Sequence, residues 1–350
     1  MKTVTIRTDP PYEARIGSGL LPLSGTLISA VTAARTCVLV SDSTVAPLYA
    51  ETICRSLRES GFTVHLFTIP TGEQHKTLAL CGEALSFFAR VGLTRSDLVV
   101  ALGGGVTGDI AGFSAAIYQR GVDFVQIPTT LLAACDASVG GKTGVDLPEG
   151  KNLAGAFHQP LLVICDTDTF RTLPPSILSE GMAEVVKHAL IADARLLVSL
   201  LERDPLPHME DIVHRNIELK AAVVSDDERE RGRRKILNFG HTLGHAIEKC
   251  SSYTIPHGSA VAIGMVLAAR AGEKLGYSPV GTADTVISAV SRFGLPISCA
   301  YSPEELYNAA LSDKKRTGDH IDIVVLKEIG RADTVRLSME ELRTFTEAAL

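Results

Sequence analysis

Three runs in the first half of the chain carry apolar residues at nearly every position: "DLVVAL" (97–102), "DFVQIP" (123–128) and "LLVICD" (161–166). A strand with one wet face alternates polar and apolar residues. A continuous apolar run needs cover on both faces. "TCVLVSD" (36–42) and "FTVHLFTIP" (62–70) read as further strands. Between them, "VAPLYAETICRSLRESG" (45–61) and "TLALCGEALSFFARVG" (77–92) have helical spacing and close on glycine. Strand and helix taking turns predicts a parallel sheet with helices on both faces.

The pattern changes after "RTLPPSILSEG" (171–181). Long helical segments are expected at about 176–203, 208–227, 238–250, 257–276 and 281–294, with one late strand at 320–326. A chain of 350 residues is long for a single core. The expected organisation is therefore an α/β protein of two domains. A parallel-sheet domain spans 1–172, and a mostly α-helical domain spans 173–350. Neither an internal repeat nor a low-complexity stretch is evident.

Composition removes several classes of function. The formal charge of −6 argues against a nucleic-acid partner. No apolar run is long enough for a bilayer, and "MKTVTIRTDPPYEARIG" lacks the apolar core of a secretory signal. No membrane association and a cytoplasmic location are expected. The seven cysteines form no Cys-x-x-Cys pair and read as buried thiols rather than a zinc site.

"ALGGGVTGDIAGF" runs from a strand into a helix and carries Gly103, Gly105 and Gly108 as Gly-x-Gly-x-x-Gly. Side chains absent there let the backbone approach a pyrophosphate at a helix N-terminus. A tight packing turn is the plainer account, and the strand-to-helix context favours the Rossmann-like one. The motif follows a later strand, not the first. Asp42 ends an early strand, where a ribose-binding acid or a turn cap would stand. "DASVGGKTGVD" (136–146) is no P-loop, because that motif needs glycine where Asp136 stands. Lys142, with Lys151 and Asn152 in "PEGKNLAGAFHQP", belongs either to polar turns or to an anion site.

"NFGHTLGHAIE" (238–248) puts His241 and His245 four residues apart, hence on one helix face. Thr242 stands where a zinc protease needs its glutamate base, which excludes that reading. A third histidine, His257, opens "HGSAVAIGM". Glu184 lies in "GMAEVVKHALI", with Lys187 three residues on. One glutamate and two histidines make a three-ligand zinc set with an open position. Spacing leaves open which two histidines ligate. Each residue alone is more often structural. Lys220, Arg234 and Asn238 add cations and a polar group, with Arg234, Asn238, His241 and His245 at roughly helical intervals. Most of "DDERERGRRK" (226–235) reads as a solvated charged loop. Cations beside a metal in an acidic chain suit a small anionic substrate.

Taken in order, "GGGVTGDIAGF…YQRG", "PTTLLA", "GGKTGV", "GKNLAGAFHQP", "GMAEVVKHALI", "NFGHTLGHAIE" and "HGSAVAIGM" closely resemble the 3-dehydroquinate synthase family, from 17 to 315. The resemblance implies a Rossmann-like NAD-binding domain, a helical metal- and substrate-binding domain and a homodimer. It implies NAD and one divalent metal, zinc or cobalt, as cofactors. The implied reaction turns the sugar phosphate 3-deoxy-D-arabino-heptulosonate 7-phosphate into 3-dehydroquinate and phosphate. Its stages are transient oxidation, phosphate β-elimination, re-reduction, ring opening and intramolecular aldol closure, within the shikimate pathway.

Carried over by motif, the metal ligands are Glu184, His241 and His257, which leaves His245 as a polar catalytic neighbour. Implied NAD contacts begin with Asp42 and the "TGEQHK" stretch: Thr71, Gly72, Glu73, Gln74, His75 and Lys76. They continue through Gly104, Gly105, Val106, Thr107, Gly108 and Asp109, then Thr129 and Thr130. Lys142 and Lys151 are implied there too, as is "TFRT": Thr169, Phe170, Arg171 and Thr172. Implied substrate or catalytic contacts are Asp136, Lys142, Lys151, Asn152, Lys187, Lys220, Arg234 and Asn238. Arg120 is expected to serve the neighbouring subunit's phosphate site. Lys314 or Lys315 is expected to complete the anionic shell, with Lys314 taken. The competing readings are another sugar-phosphate cyclase, making an inosose or valiolone, and a metal-dependent alcohol dehydrogenase. A non-catalytic NAD- or zinc-binding module is the third.

Overall fold

The computed structural model describes residues 1–311, 316–317 and 319–350. The chain opens with β1 (Lys2–Ile6) and β2 (Tyr12–Gly17), an antiparallel pair. The expected strands follow as β3 (Thr36–Asp42), β4 (Thr63–Ile69), β5 (Leu98–Gly103) and β6 (Asp123–Pro128). After a hairpin of β7 (Lys142–Leu147) and β8 (Gly150–Phe157) comes β9 (Leu162–Asp166). Seven strands form one sheet in the order β1-β2-β9-β6-β5-β3-β4. Every neighbouring pair but β1–β2 is parallel.

The apolar runs are buried for the expected reason. Leu39, Val100 and Ile127 lie in one core layer, with Ile53 and Leu57 of α2 (Glu51–Glu59). Val38, Val40 and Val99 lie in another, with Phe88 of α3 (Leu78–Arg90) and Ile110 of α4 (Gly105–Ile117). The short α1 (Ser24–Ser29) adds Ile28 to the first layer. Each such side chain, fully buried, contributes on the order of 1.5–3 kcal/mol.

Strand order also explains the late glycine motif. From β3 the chain steps outward to β4, then returns to the other side of β3 as β5. The order reverses between β3 and β5, and the carboxyl ends of strands at such a reversal flank the usual ligand crevice of an open α/β sheet. Asp42 ends β3 and Gly103 ends β5.

The stretch 142–157 reads as loops and polar turns in the sequence. It is a β-hairpin, with Lys142 opening β7 and Lys151 and Asn152 in β8. Its glycines hide the strand signal, although Thr143 and Val145 turn inward.

Chain contacts group the residues into two compact units. One is Met1–Leu173 with Met209–Arg229, and the other is Pro174–His208 with Glu230–Leu350. Set against a single division at 172, one piece changes sides. The helix Met209–Asp226 groups with the first unit, packing on β1 and β2.

The second unit starts with α5 (Pro175–Ala192) and α6 (Ala194–Glu202). One helix was expected over 176–203. Asp193 divides it, accepting the N–H groups of Arg195 and Leu196 as an N-cap. The transferred helix is α7 (Met209–Asp226). α8 (His241–Cys250), α9 (His257–Lys274) and α10 (Thr282–Ser291) match expected helices. α9 is apolar and buried on nearly all sides, the mark of a central helix.

Sequence reading missed α11 (Pro303–Ala310) and α12 (Met339–Ala349), both opened by capping boxes. The expected late strand is β11 (His320–Glu328). It pairs antiparallel with β10 (Arg316–Thr317) and with the unforeseen β12 (Arg331–Ser338). No helix of the described residues is long and apolar enough to cross a membrane.

Candidate active site

In the first unit, the expected dinucleotide residues gather around the ends of β3 and β5. The Asp42 carboxylate accepts the N–H groups of Thr44 and Val45 at 2.9 and 3.0 Å and the Thr71 hydroxyl at 3.0 Å. Its other oxygen takes the Thr107 hydroxyl at 3.2 Å. Asp42 is thus a turn cap that also clamps the two loops facing the reversal. Thr129 follows β6 and donates its N–H to the Gly103 carbonyl at 2.9 Å. Its hydroxyl is buried and meets no hydrogen-bond partner among the described residues.

Gly104, Gly105 and Val106 form the turn into α4. Gly108 has a packing reason: a Cβ there would stand 2.5 Å from Gln126 Oε1 on β6. That is the close helix-to-strand approach the third glycine of the motif allows.

A second cluster ties the "TGEQHK" turn to the hairpin. Lys76 is buried, with its ammonium 2.6 Å from Asp109 and 2.5 Å from Asn152 Oδ1. Asn152 has a left-handed φ of 55° and gives its N–H to Asp146 at 2.7 Å. Burial works against the Lys76 charge. Asp109, Glu73 and Asp146 outweigh it and hold the ammonium above the ordinary lysine range. Burial pushes the Asp109 carboxyl up against the pull of that ammonium. Lys151 lies 3.6 Å from Glu73. Gln74 packs its side chain over Gly72, while His75 closes the same short turn.

Thr169, Phe170, Arg171 and Thr172 form the 3-10 turn after β9. Tyr49 reaches that turn through the Thr172 hydroxyl at 2.6 Å. Arg171 pairs with Asp168 at 3.1 Å. Lys220 contacts Asp136 at 2.6 Å, an ion pair wholly within this unit. Lys142 is exposed, and Thr130 packs near Gly104.

Arg120 is not with these residues. α4 runs 13 residues from the glycine turn, about 20 Å, and Arg120 lies beyond its far end. Gln119 and Arg120 both have left-handed backbones, φ 47° and 68°. Such strain in residues other than glycine gathers at functional positions.

In the second unit, close packing of α8 on α9 builds the metal candidate. Gly240, at φ 79°, leads into α8 against Val261 and Met265. A Cβ on Gly264 would fall 2.0 Å from the Gly240 carbonyl oxygen. This contact brings His241, the first residue of α8, toward His257, the first residue of α9. Their rings lie 5.5 Å apart.

α5 brings Glu184 to them. Its Oε1 lies 3.6 Å from His241 Nε2 and 3.8 Å from His257 Nε2. Its Oε2 contacts the Lys187 ammonium one turn on. Glu184 is fully buried, yet neither oxygen accepts a hydrogen bond of good geometry among the described residues.

These residues suit a divalent cation on three grounds. One ligand atom from each of Glu184, His241 and His257 lies within 4.8 Å of the others. Tetrahedral ligands about 2.1 Å from zinc stand roughly 3.4 Å apart. His241 Nδ1 is 3.2 Å from the Phe239 carbonyl, which fixes the proton on Nδ1 and leaves the Nε2 lone pair toward Glu184. His245, Glu248 and His257 form a second such group, and the His245 ring lies 5.5 Å from that of His241.

The carboxylate-binding candidates differ from their expected helical spacing. Arg234 and Asn238 lie on a 3-10 turn, Arg233–Asn238, and Gly240 separates that turn from α8. Arg234 is buried at 1 % exposure. Asn238 donates to Glu230 at 2.6 Å. Glu230, at φ 56°, was hidden in the charged run read as solvated loop. Nothing in that composition marks it. Glu248, seven residues beyond His241, was legible in principle, since two helical turns return to one face. Lys314 and Lys315 lie outside the described residues.

The family description "3-dehydroquinate synthase N-terminal" matches residues 66–180, and "3-dehydroquinate synthase C-terminal" matches 181–316. A 3-dehydroquinate synthase of Streptococcus gordonii is 44% identical over 344 residues, covering 96% of each chain. One from Enterococcus faecalis is 43% identical over 349 residues, 98% of this chain and 97% of its own.

A solved 2-deoxy-scyllo-inosose synthase complexed with carbaglucose-6-phosphate, NAD+ and Co2+ matches with TM-score 0.86 and 25% identity, covering 99% of both chains. The 2-epi-5-epi-valiolone synthase of Streptomyces hygroscopicus subsp. jinggangensis, with NAD+ and Zn2+ bound, matches at 0.85 and 27%, covering 95% of both. On the family match across both halves and on these relatives, the chain belongs to the 3-dehydroquinate synthase family.

Proposed function

We propose that this chain is a carbon–oxygen lyase, converting 3-deoxy-D-arabino-heptulosonate 7-phosphate to 3-dehydroquinate and phosphate. The observation that carries the reading is the convergence of Glu184, His241 and His257 on one another beside Lys187, in a chain 44% identical to a 3-dehydroquinate synthase. When bound, NAD supplies a reversible hydride acceptor, and a divalent cation held by Glu184, His241 and His257 supplies a Lewis acid.

The remaining work falls to this chain's own groups. Arg234 offers a planar fork for the substrate carboxylate, and a guanidinium never loses its charge at working pH. Asn238, already oriented by Glu230, adds a neutral donor. Lys187 is buried beside Glu184 and balances that carboxylate's charge. His245, a few ångströms from the ligand pair, is the group able to take or give a proton near neutral pH. In the first unit, Lys142, Lys151, Asn152 and the Lys220–Asp136 pair supply charge and donors for a phosphorylated sugar. The clamp of Asp42, Thr71 and Thr107, with the turn 103–108, supplies the nucleotide cradle.

The proposal extends to a cytoplasmic homodimer. Arg120 supports the dimer: it lies about 20 Å along α4 from its own subunit's glycine turn, on a strained backbone suited to an outward role. The test is to incubate the protein with NAD, zinc and the heptulosonate phosphate, and to measure phosphate together with carbocycle. Equimolar release, without net NADH, is expected. Turnover only of a carboxylate-free heptulose phosphate would mark an inosose- or valiolone-type cyclase. Accumulating NADH would mark a dehydrogenase.

A further inference from the structure

We infer that Glu248 is a positioning residue for His257: its carboxylate holds the imidazole by Nδ1 and so presents Nε2 beside Glu184. The inference rests on the metal set proposed above. Nδ1 of His257 lies 3.4 Å from Glu248 Oε1, while Nε2 of the same ring lies 3.8 Å from Glu184 Oε1. A neutral imidazole has one proton, so a ring that ligates through Nε2 must carry it on Nδ1. An acceptor at Nδ1 fixes that tautomer and raises the basicity of the ligating nitrogen. His241 has a backbone carbonyl for this purpose, that of Phe239. His257 has a carboxylate, and Glu248 is 1 % exposed, so water competes little for it.

The start of α9 is held separately from the ring. His257 begins α9, and its side chain is 34 % exposed. The first turn of α9 is already pinned. Glu180, one turn ahead of Glu184 on α5, accepts the Ser259 N–H at 3.0 Å and also its hydroxyl. The turn before α9 is anchored on Glu248 itself. The Glu248 carbonyl accepts the Tyr253 N–H at 2.7 Å and the Ser251 hydroxyl at 2.8 Å. Ser252 and Tyr253 take left-handed backbones, φ 50° and 61°, to make that turn. These contacts set where α9 begins, and the Glu248 carboxylate sets which way the His257 ring faces.

The test strips the full-length protein of metal. Zinc is then titrated against a competing chelator for wild type, Glu248→Gln and Glu248→Ala. Visible spectra are recorded with cobalt in place of zinc. Unfolding of the stripped proteins and NAD binding check the fold. Loss of such an outer partner costs roughly 10–100-fold in metal affinity. Glu248→Ala is expected in that range, Glu248→Gln at its lower end, both with one zinc per chain and an altered cobalt spectrum.

Wild-type affinity and an unchanged spectrum in Glu248→Ala overturn the inference, whatever that variant's stability. If Glu248→Ala does not fold, the same result in Glu248→Gln overturns it. Two zinc ions per wild-type chain, one lost in Glu248→Gln, make Glu248 a ligand and overturn it too. A wild type that binds no zinc overturns the metal set itself along with this inference.

Discussion

Glu184 Oε1 stands 3.6 Å from His241 Nε2, yet the carboxylate accepts no hydrogen bond of good geometry among the described residues. A buried carboxylate and an imidazole whose lone pair faces it leave a place for a cation. Glu184→Ala, His241→Ala and His257→Ala are therefore expected to weaken zinc binding by more than about 100-fold, beyond the loss of an outer partner. Phosphate release should stop, while NAD binding stays near wild type. Full turnover by a metal-stripped Glu184→Ala protein would refute the ligand assignment.

The approach of α8 to α9 gives a second expectation. A Cβ on Gly264 would stand 2.0 Å from the Gly240 carbonyl oxygen and 2.7 Å from the Gly244 nitrogen. Both are backbone atoms, so the helices must part. Gly264→Ala is expected to destabilise the protein by about 2–3 kcal/mol, in the range of core overpacking, and to lower zinc affinity as His241 and His257 separate. Chemical unfolding and zinc titration of the variant check both. A neutral substitution would mean that the two helices have slack.

How much of this was visible beforehand differs between the units. The runs at 98–103 and 123–128 announced themselves because a strand covered on both faces has no polar option. His241 and His245 were visible because a spacing of four puts them on one helix face, and His257 because it opens a helix, whereas which two ligate was not legible in spacing. Strand order was not visible. The place of Asp42 beside Gly103 follows from the chain reversing between β3 and β5, a choice made by packing over 60 residues. β7 and β8 were hidden by glycine, and Glu230 by its charged neighbours, since composition cannot tell one ordered carboxylate from several solvated ones. α7 packs on β1 and β2, a tertiary preference that no local pattern carries.

Lys76 and Asp109, 2.6 Å apart, make a test of the nucleotide cradle. Lys76→Met leaves the Asp109 carboxylate without its ammonium. Breaking a buried pair from one side costs about 3 kcal/mol or more. Less is expected here, because the Asp109 side chain keeps 19% of its exposure. Replacing both, Lys76→Met with Asp109→Asn, should recover much of the loss. A double-mutant cycle by urea unfolding measures the coupling, and strictly additive losses would count against it.

Arg234 addresses substrate choice. Arg234→Lys keeps the charge and loses the fork. It is expected to raise KM for the heptulosonate phosphate by roughly 10-fold, and Arg234→Ala by more, in line with about 1.5–3 kcal/mol for a charged hydrogen bond. NAD affinity should change little in either variant. Equal losses for substrate and NAD would remove the carboxylate role.

Alkaline stability follows from Cys37. Burial, then the neighbouring Cys54 and Asp97, push its thiol up to about 12, against 9.0 for a free thiol. Between those values the unfolded chain has given up a proton that the folded chain keeps. Proton release then favours unfolding, so this thiol's contribution is complete below pH 9 and is lost as pH rises toward 12. The slope from one such group is at most about 1.4 kcal/mol per pH unit. Cys37→Ala should unfold more easily at pH 8 because of the methyl-sized gap, but its stability should fall less steeply from pH 9 to 11. Urea unfolding of both proteins across that range gives the comparison, and parallel slopes would mean that the Cys37 thiol ionises in the folded chain as freely as in the unfolded one.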